Sequence, residues 1–180
     1  ITNKIGSLNL RLTSKETAVH SDMIIWNNFD TNEGVLNQLL GVIFSVPQIS
    51  VKLDELNDNH KLILKNYLDF WSLHRDTLLD GEIKVYGVEF GYTLASSQTE
   101  AEKISVLYAN TPIVKDGNLT EYIFNATGSN FIYVETLTNL NYQIYDYFGN
   151  LIKSDALSVG VNKILLNSGY QIKLYIWYNI

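Results

Sequence analysis

The spacing of apolar residues changes once along this chain, and the change limits which layers the chain can build. From Asn32 to Ile43 the residues Val35, Leu36, Leu39, Leu40 and Ile43 recur at three and four, which lines one face of a helix. From Glu82 onward the spacing falls to two. "EIKVYGVEF", "KISVLYAN", "LTEYIFNAT", "NFIYVETL", "NYQIYDYF", "NLIKSDAL", "VNKILL" and "YQIKLYIWY" are rich in Val, Ile, Tyr and Phe and are separated by Gly, Asn and Asp. A period of two puts alternate side chains on opposite faces of a strand. The boundary near Asp80 and Gly81 therefore predicts two units, residues 1–81 and residues 82–180.

In the first unit "LNLRL" alternates apolar and polar residues and predicts a short strand. "VIFSVPQISV" predicts a buried strand interrupted by Pro47. The segment "NDNHKLILKNYLDFWSLHRDTLLDG" opens on the capping residues Asn57 and Asp58, carries Leu64, Leu68, Trp71 and Leu78 along one stripe, and stops at Gly81. Strand, helix, strand, helix is the order of a parallel α/β layer. The eight short runs of the second unit predict an antiparallel β-sandwich or Greek-key domain, with "FGN" as a hairpin turn and "DGN" at Asp116 as another. The fold class expected for the whole is α+β.

Composition removes several classes of function. Hydrophobic residues make up 46% and charged residues 18%, so the chain has the means to bury a core. The net charge of −6 and the absence of any block of Lys and Arg argue against nucleic acid as a partner. Without cysteine there are no disulfides and no thiolate chemistry, which fits a reducing, cytoplasmic setting. His20, His60 and His74 are too widely spaced to predict a metal site, and no cofactor is expected. No run of about eighteen apolar residues predicts a membrane span. "ITNKIGSLNLRL" lacks the pattern of a signal peptide, and a start at Ile1 suggests a piece of something longer. Asn118-Leu-Thr and Asn125-Ala-Thr would accept glycans only in a secreted eukaryotic chain. Seven of the twelve tyrosines follow residue 130, which suits strand packing and, as the second reading, stacking of bases or sugars.

No G-x-S-x-G elbow, Walker loop or G-x-G-x-x-G opening is present, so carboxylate chemistry is what remains. Asp22 in "TAVHSDMIIW" stands between an expected strand and an expected helix, close in sequence to Arg11, His20 and Trp26. A Ser-Asp pair ahead of a helix is most often an N-cap. In an α/β barrel, however, loops after strands form the active face, where an aspartate can act as an acid or base. Arginine and histidine could bind hydroxyls there, and an indole could close one side of a sugar ring.

Taken in order, "RLTSKETAVHSDMIIW", "QLLGVIFSVPQISVKLDEL" and "YLDFWSLHRDTLLDG" resemble the carboxyl-terminal part of bacterial α-galactosidases of glycoside hydrolase family 36. The resemblance implies the last strands and helices of a catalytic (β/α)8 TIM barrel, residues 1–81, followed by a β-domain, residues 82–180. It implies hydrolysis of terminal α-galactosyl groups from oligosaccharides of the melibiose and raffinose type, with retention of configuration. Asp22 matches the family's general acid/base, and Arg11, His20 and Trp26 match residues near the sugar pocket. Relatives with a further aspartate after the Ser-Asp pair differ here, where "MIIW" follows.

A retaining glycosidase sets two carboxyl groups about 5–5.5 Å apart, one attacking the anomeric carbon and one protonating the departing oxygen. The family's nucleophile lies on an earlier barrel strand. Asp30, Asp54, Glu55 and Asp58 all follow Asp22 and read as caps and solvated faces. The expectation is a fragment inactive by itself, whose partners are the missing amino-terminal barrel part, the α-galactoside and, in the family's manner, further copies of the chain. The alternative is a noncatalytic carbohydrate-binding or interaction β-sandwich module. A third reading is a related hydrolase with a different sugar specificity, since one fold hosts many substrates.

Overall fold

The structure, a computed structural model, describes residues 2–14, 17, 19–115 and 117–176. Helix α1 (Thr2–Ser14) turns Ser7, Leu8 and Arg11 inward and leaves Leu10 and Leu12 exposed. The strand expected at "LNLRL" is therefore a helix. Its alternation was real in letters, but burial follows positions 7, 8 and 11, a spacing that only a helix places on one side.

Strand β1 (His20–Ile24), helix α2 (Asn32–Leu40) and strand β2 (Val46–Ile49) form a unit whose two strands pair in parallel. Thr31 caps α2, its Oγ1 accepting the Gly34 N–H at 3.0 Å, and Val35, Leu36, Leu39, Leu40 and Ile43 are all buried. The strand expected across "VIFSVPQISV" shortens to the four residues of β2, because the chain turns through 41–44 before it extends. Helix α3 (Asp58–Leu73) is capped by Asn57, whose Oδ1 accepts the His60 N–H at 2.9 Å. Its inward stripe is His60, Ile63, Leu64, Tyr67 and Trp71. Leu68 stays at the surface, and Leu78 belongs to a separate short helix, α4 (Arg75–Asp80).

Ten strands follow: β3 (Glu82–Tyr86), β4 (Leu94–Gln98), β5 (Glu102–Leu107), β6 (Ile113–Lys115), β7 (Thr120–Asn125), β8 (Phe131–Thr136), β9 (Leu140–Tyr145), β10 (Leu151–Leu157), β11 (Gly160–Leu165) and β12 (Gln171–Tyr175). They make a seven-stranded sheet in the order β10-β9-β12-β7-β5-β4-β3 and a three-stranded sheet in the order β11-β8-β6. The eight expected runs all contain strands. The two further strands are β4, whose "LASSQ" is built on small residues without an aromatic, and the three-residue β6. Pairing is mostly antiparallel, but β5 with β7 and β6 with β8 run parallel, which corrects the expectation of a purely antiparallel domain.

"FGN" does turn a hairpin between β9 and β10, with Gly149 at φ +82° and Asp146 Oδ1 accepting the N–H groups of Phe148 and Asn150, each at 2.9 Å. "DGN" does not join a hairpin, because β6 and β7 lie in different sheets; Asp116 itself is outside the described residues.

Period two explains the layering. On β5 and β7, Ile104, Val106 and Phe124 face the helices and share a core with Leu8, Ile24, Leu39, Ile63 and Leu78. Their neighbours Leu107 and Ile123 face the other way, into a second core shared by both sheets with Ile132, Val134, Ile164 and Ile172. The seven-stranded sheet is thus a middle layer, with helices on one side and the smaller sheet on the other. Each fully buried Leu or Ile contributes roughly 1.5–3 kcal/mol to holding these layers.

The first core crosses the junction at Gly81, so helices and sheet stabilise each other. Trp71 Nε1 donates to the carbonyls of Ile43 and Ser45, both at 3.1 Å, tying α3 to the turn before β2. Tyr108 Oη donates to Leu40 O at 3.0 Å, tying the sheet to α2. The chain is an α+β protein with more residues in strands than in helices, and no barrel closes among the described residues.

Candidate functional site

Strand β1 carries an irregularity at its centre. His20 pairs with Val46, yet Met23 pairs with Gln48, so three steps on β1 answer two on β2. The extra residue falls at Ser21 and Asp22. Pro47 lies opposite and has no N–H to give to a ladder. Ser21 is buried, and its Oγ accepts the N–H of Gln48 at 2.9 Å, replacing a backbone partner. Burial along β1 then runs exposed, buried, exposed, exposed, buried, instead of alternating. A bulge of this kind re-aims side chains. Here it leaves Asp22 outward, exposed, and in no hydrogen bond or ion pair among the described residues.

Asp22 is accordingly not a helix cap. It lies within the strand, and the next helix starts at Asn32 with Thr31 as its cap. The expected order of strand, Asp22-bearing loop and helix is corrected: Asp22 and His20 are strand residues, and the loop begins after Ile24.

That loop and the one after β2 enclose a cavity of about 400 Å³ at the carboxyl ends of the two parallel strands. Trp26, Phe29, Asn27, Asn28, Lys52 and Glu55 are among its lining residues. Asn28 stitches the two loops together: its Oδ1 accepts the Asn57 N–H at 3.0 Å, its carbonyl accepts from Asn57 Nδ2 at 3.1 Å, and its Nδ2 donates to Glu55 O. Lys52 and Glu55 form an exposed ion pair at 2.8 Å on the rim. Phe29 is 97% exposed and presents a whole ring to solvent. Trp26 is buried, and its indole N–H has no hydrogen-bond partner among the described residues, an orphan donor beside the cavity. Such a lining can bind neutral hydroxylated molecules through amides, a free indole donor and aromatic rings.

Of the four residues singled out from sequence, Trp26 lines this cavity, whereas Asp22, His20 and Arg11 do not. His20 is exposed, with Nδ1 3.4 Å from Gln48 Nε2. Arg11 is 5% exposed and its guanidinium donates to the carbonyls of Leu79 and Gly81, the latter at 3.1 Å. It clamps α1 onto the end of α4, and burial lowers its pKa while the Asp80 charge acts in the opposite direction. Sequence reading missed Asn27, Asn28, Phe29, Lys52 and Glu55. The run "WNNFD" carried the only available signal, two amides and an aromatic following a strand. No cluster of three or more His, Asp and Glu able to hold a metal occurs among the described residues.

Fold and site define an α+β protein in which a parallel strand pair, with a cavity of aromatic, aliphatic and amide side chains at its carboxyl ends, packs on two stacked β-sheets. No protein-family model matches the chain, and no curated protein matches it.

Proposed function

We propose that the chain is the carboxyl-terminal part of a retaining α-galactosidase, in which Asp22 is the general acid and base. The observation that supports this most is the bulge in β1, which turns a carboxylate without partners among the described residues outward two residues before the carboxyl end of a parallel strand. In α/β barrels catalytic residues come from the ends of such strands. The parallel pair β1 and β2, linked through α2, has the connectivity of consecutive barrel strands. Met23 and Ile25, both more than two-thirds exposed, are apolar surface suited to further barrel strands.

In this reading the nucleophilic aspartate belongs to the preceding barrel part. Asp22 protonates the departing glycosidic oxygen as the nucleophile attacks, then takes a proton from water as the glycosyl-enzyme is hydrolysed. The negative nucleophile keeps its partner protonated until the first step. Trp26 and Phe29 would contact the sugar or its leaving group at the end of β1.

Two measurements test the reading. The 180-residue chain should not turn over p-nitrophenyl α-galactoside. A chain extended by its preceding barrel part should hydrolyse it with retention at the anomeric carbon, and Asp22→Asn should lower kcat by at least about a thousandfold. Absence of hydrolysis by the extended chain, or full activity of its Asp22→Asn form, would sink the proposal.

A further inference from the structure

The helical layer covers only part of the seven-stranded sheet. Its border is α3, where Phe70 packs edge-on against Phe124 and Tyr122, with ring centroids at 5.0 and 5.5 Å, and His74 lies 4.6 Å from Tyr122. Beyond β7 the same face continues over β12 and β9. Register places Tyr122, Lys173 and Gln143 in one row across three strands, Phe124, Gln171 and Tyr145 in the next, and Tyr175 beside Asn141 in a third. The alternate residues Leu140, Tyr142, Ile144, Ile172 and Leu174 point into the sandwich. The outer positions of β9 and β12 are neither fully buried nor fully exposed.

We propose that this face binds a neutral oligosaccharide across Tyr122, Tyr145, Tyr175 and Lys173. Lys173 Nζ lies 5.5 Å from the ring centre of Tyr122 and 5.6 Å from that of Tyr175, so one ammonium is set between two rings. Tyr145 Oη donates to Gln143 Oε1 at 2.9 Å, which orients a hydroxyl and an amide together. Burial raises the phenol pKa values of Tyr122 and Tyr145; the Glu102 charge and Tyr145 act in the same direction on Tyr122, and Tyr175 does so on Tyr145.

The chemistry of this surface favours sugar over other partners. Strands about 4.8 Å apart present phenol, amide and ammonium groups at a spacing comparable to the width of a pyranose ring. Tyrosine rings accept the C–H face of a sugar, while the amides of Gln143, Gln171 and Asn141 and the ammonium of Lys173 meet its hydroxyls. Nucleic acid would need several cations, and only Lys173 stands in these three rows on a chain of net charge −6. The proposal concerns a different surface from the cavity at β1, and it stands or falls separately from the role of Asp22.

Titration of raffinose and of maltotetraose into the 180-residue chain, followed by calorimetry and by amide chemical shifts, provides the test. At least one should bind with a Kd of order 1–10 mM and shift resonances of β7, β9 and β12. Tyr145→Ala and Lys173→Ala should each weaken binding by about fivefold or more, and Tyr145→Phe, which keeps the ring and the fold, by about twofold. Val161→Ala and Leu165→Ala, exposed on β11 of the smaller sheet, should leave it unchanged. The proposal is overturned if neither sugar binds at about 50 mM. It is equally overturned if binding survives Tyr145→Ala and Lys173→Ala and is lost in Phe29→Ala.

Discussion

The backbone N–H of Gln48 donates to Ser21 Oγ at 2.9 Å, across the point where β1 and β2 slip out of step. A side chain here does what a ladder carbonyl does elsewhere. The hydroxyl holds an extra residue in β1 without leaving the Gln48 donor unsatisfied, and the next residue, Asp22, faces outward as a result. Replacing Ser21 by Ala strands that donor in a half-buried place, so unfolding in urea should show a loss of about 1–2 kcal/mol.

Asp22 contributes little to the fold, being exposed and without partners among the described residues. The variant Asp22→Asn should match the parent chain within about 0.5 kcal/mol in the same urea experiment. A larger loss would reveal a structural role and weaken its assignment as acid and base.

Gly81 sits where α4 ends and β3 begins, and a Cβ there would run into Thr77 O, Ser97 Oγ and Gln98 O. Ser97 Oγ donates to Thr77 O at 2.6 Å in the same contact, so neither side has room to yield. Gly81→Ala should cost about 1–3 kcal/mol, seen as a lower Tm, although its φ of −65° suits alanine.

Tyr67 and Tyr108 are buried between helices and sheet, and burial pushes both phenols well above their ordinary value of 10.0. A folded pKa above the unfolded one means that stability is intact below about pH 10 and falls as pH rises past it, because only the unfolded chain releases these protons. The expected slope is about 1.4 kcal/mol per pH unit for each tyrosine. Urea unfolding between about pH 8 and pH 11.5 should show the decline, and Tyr108→Phe should lessen its slope by about 1.4 kcal/mol per pH unit while costing about 1 kcal/mol at neutral pH through loss of the bond to Leu40 O.

Helix α2 was legible because its stripe, from Val35 to Ile43, is both its sequence period and its buried side. The aromatic and β-branched strands were legible for the same reason. Helix α1 was not: alternate leucines at 8, 10 and 12 mimic a strand, and only contact with the rest of the fold reveals that Leu8 is buried and Leu10 is not. Strand β4 was missed because Ala95, Ser96 and Ser97 carry weak strand preference; α4 and β5 packed beside it supply the reason for it to extend. At the cavity, Trp26 could be named from its neighbours in the chain. The cavity could not, because Lys52 and Glu55 reach it from a different loop, joined through Asn28.

By itself the sequence determined where side-chain spacing changes, which segments cap and stop, and that the chain would be α+β. Those are local properties, set by steric preference and by which residues avoid water. Tertiary structure alone decided the order of the strands, the parallel pairings of β5 with β7 and β6 with β8, and the clamp of Arg11 on the end of α4. It also decided that Asp22 points outward from a bulge rather than capping a helix, because the bulge depends on Pro47 and Gln48 lying opposite in another strand. Such pairings join residues far apart in the chain, and their free energy exists only when the two segments meet.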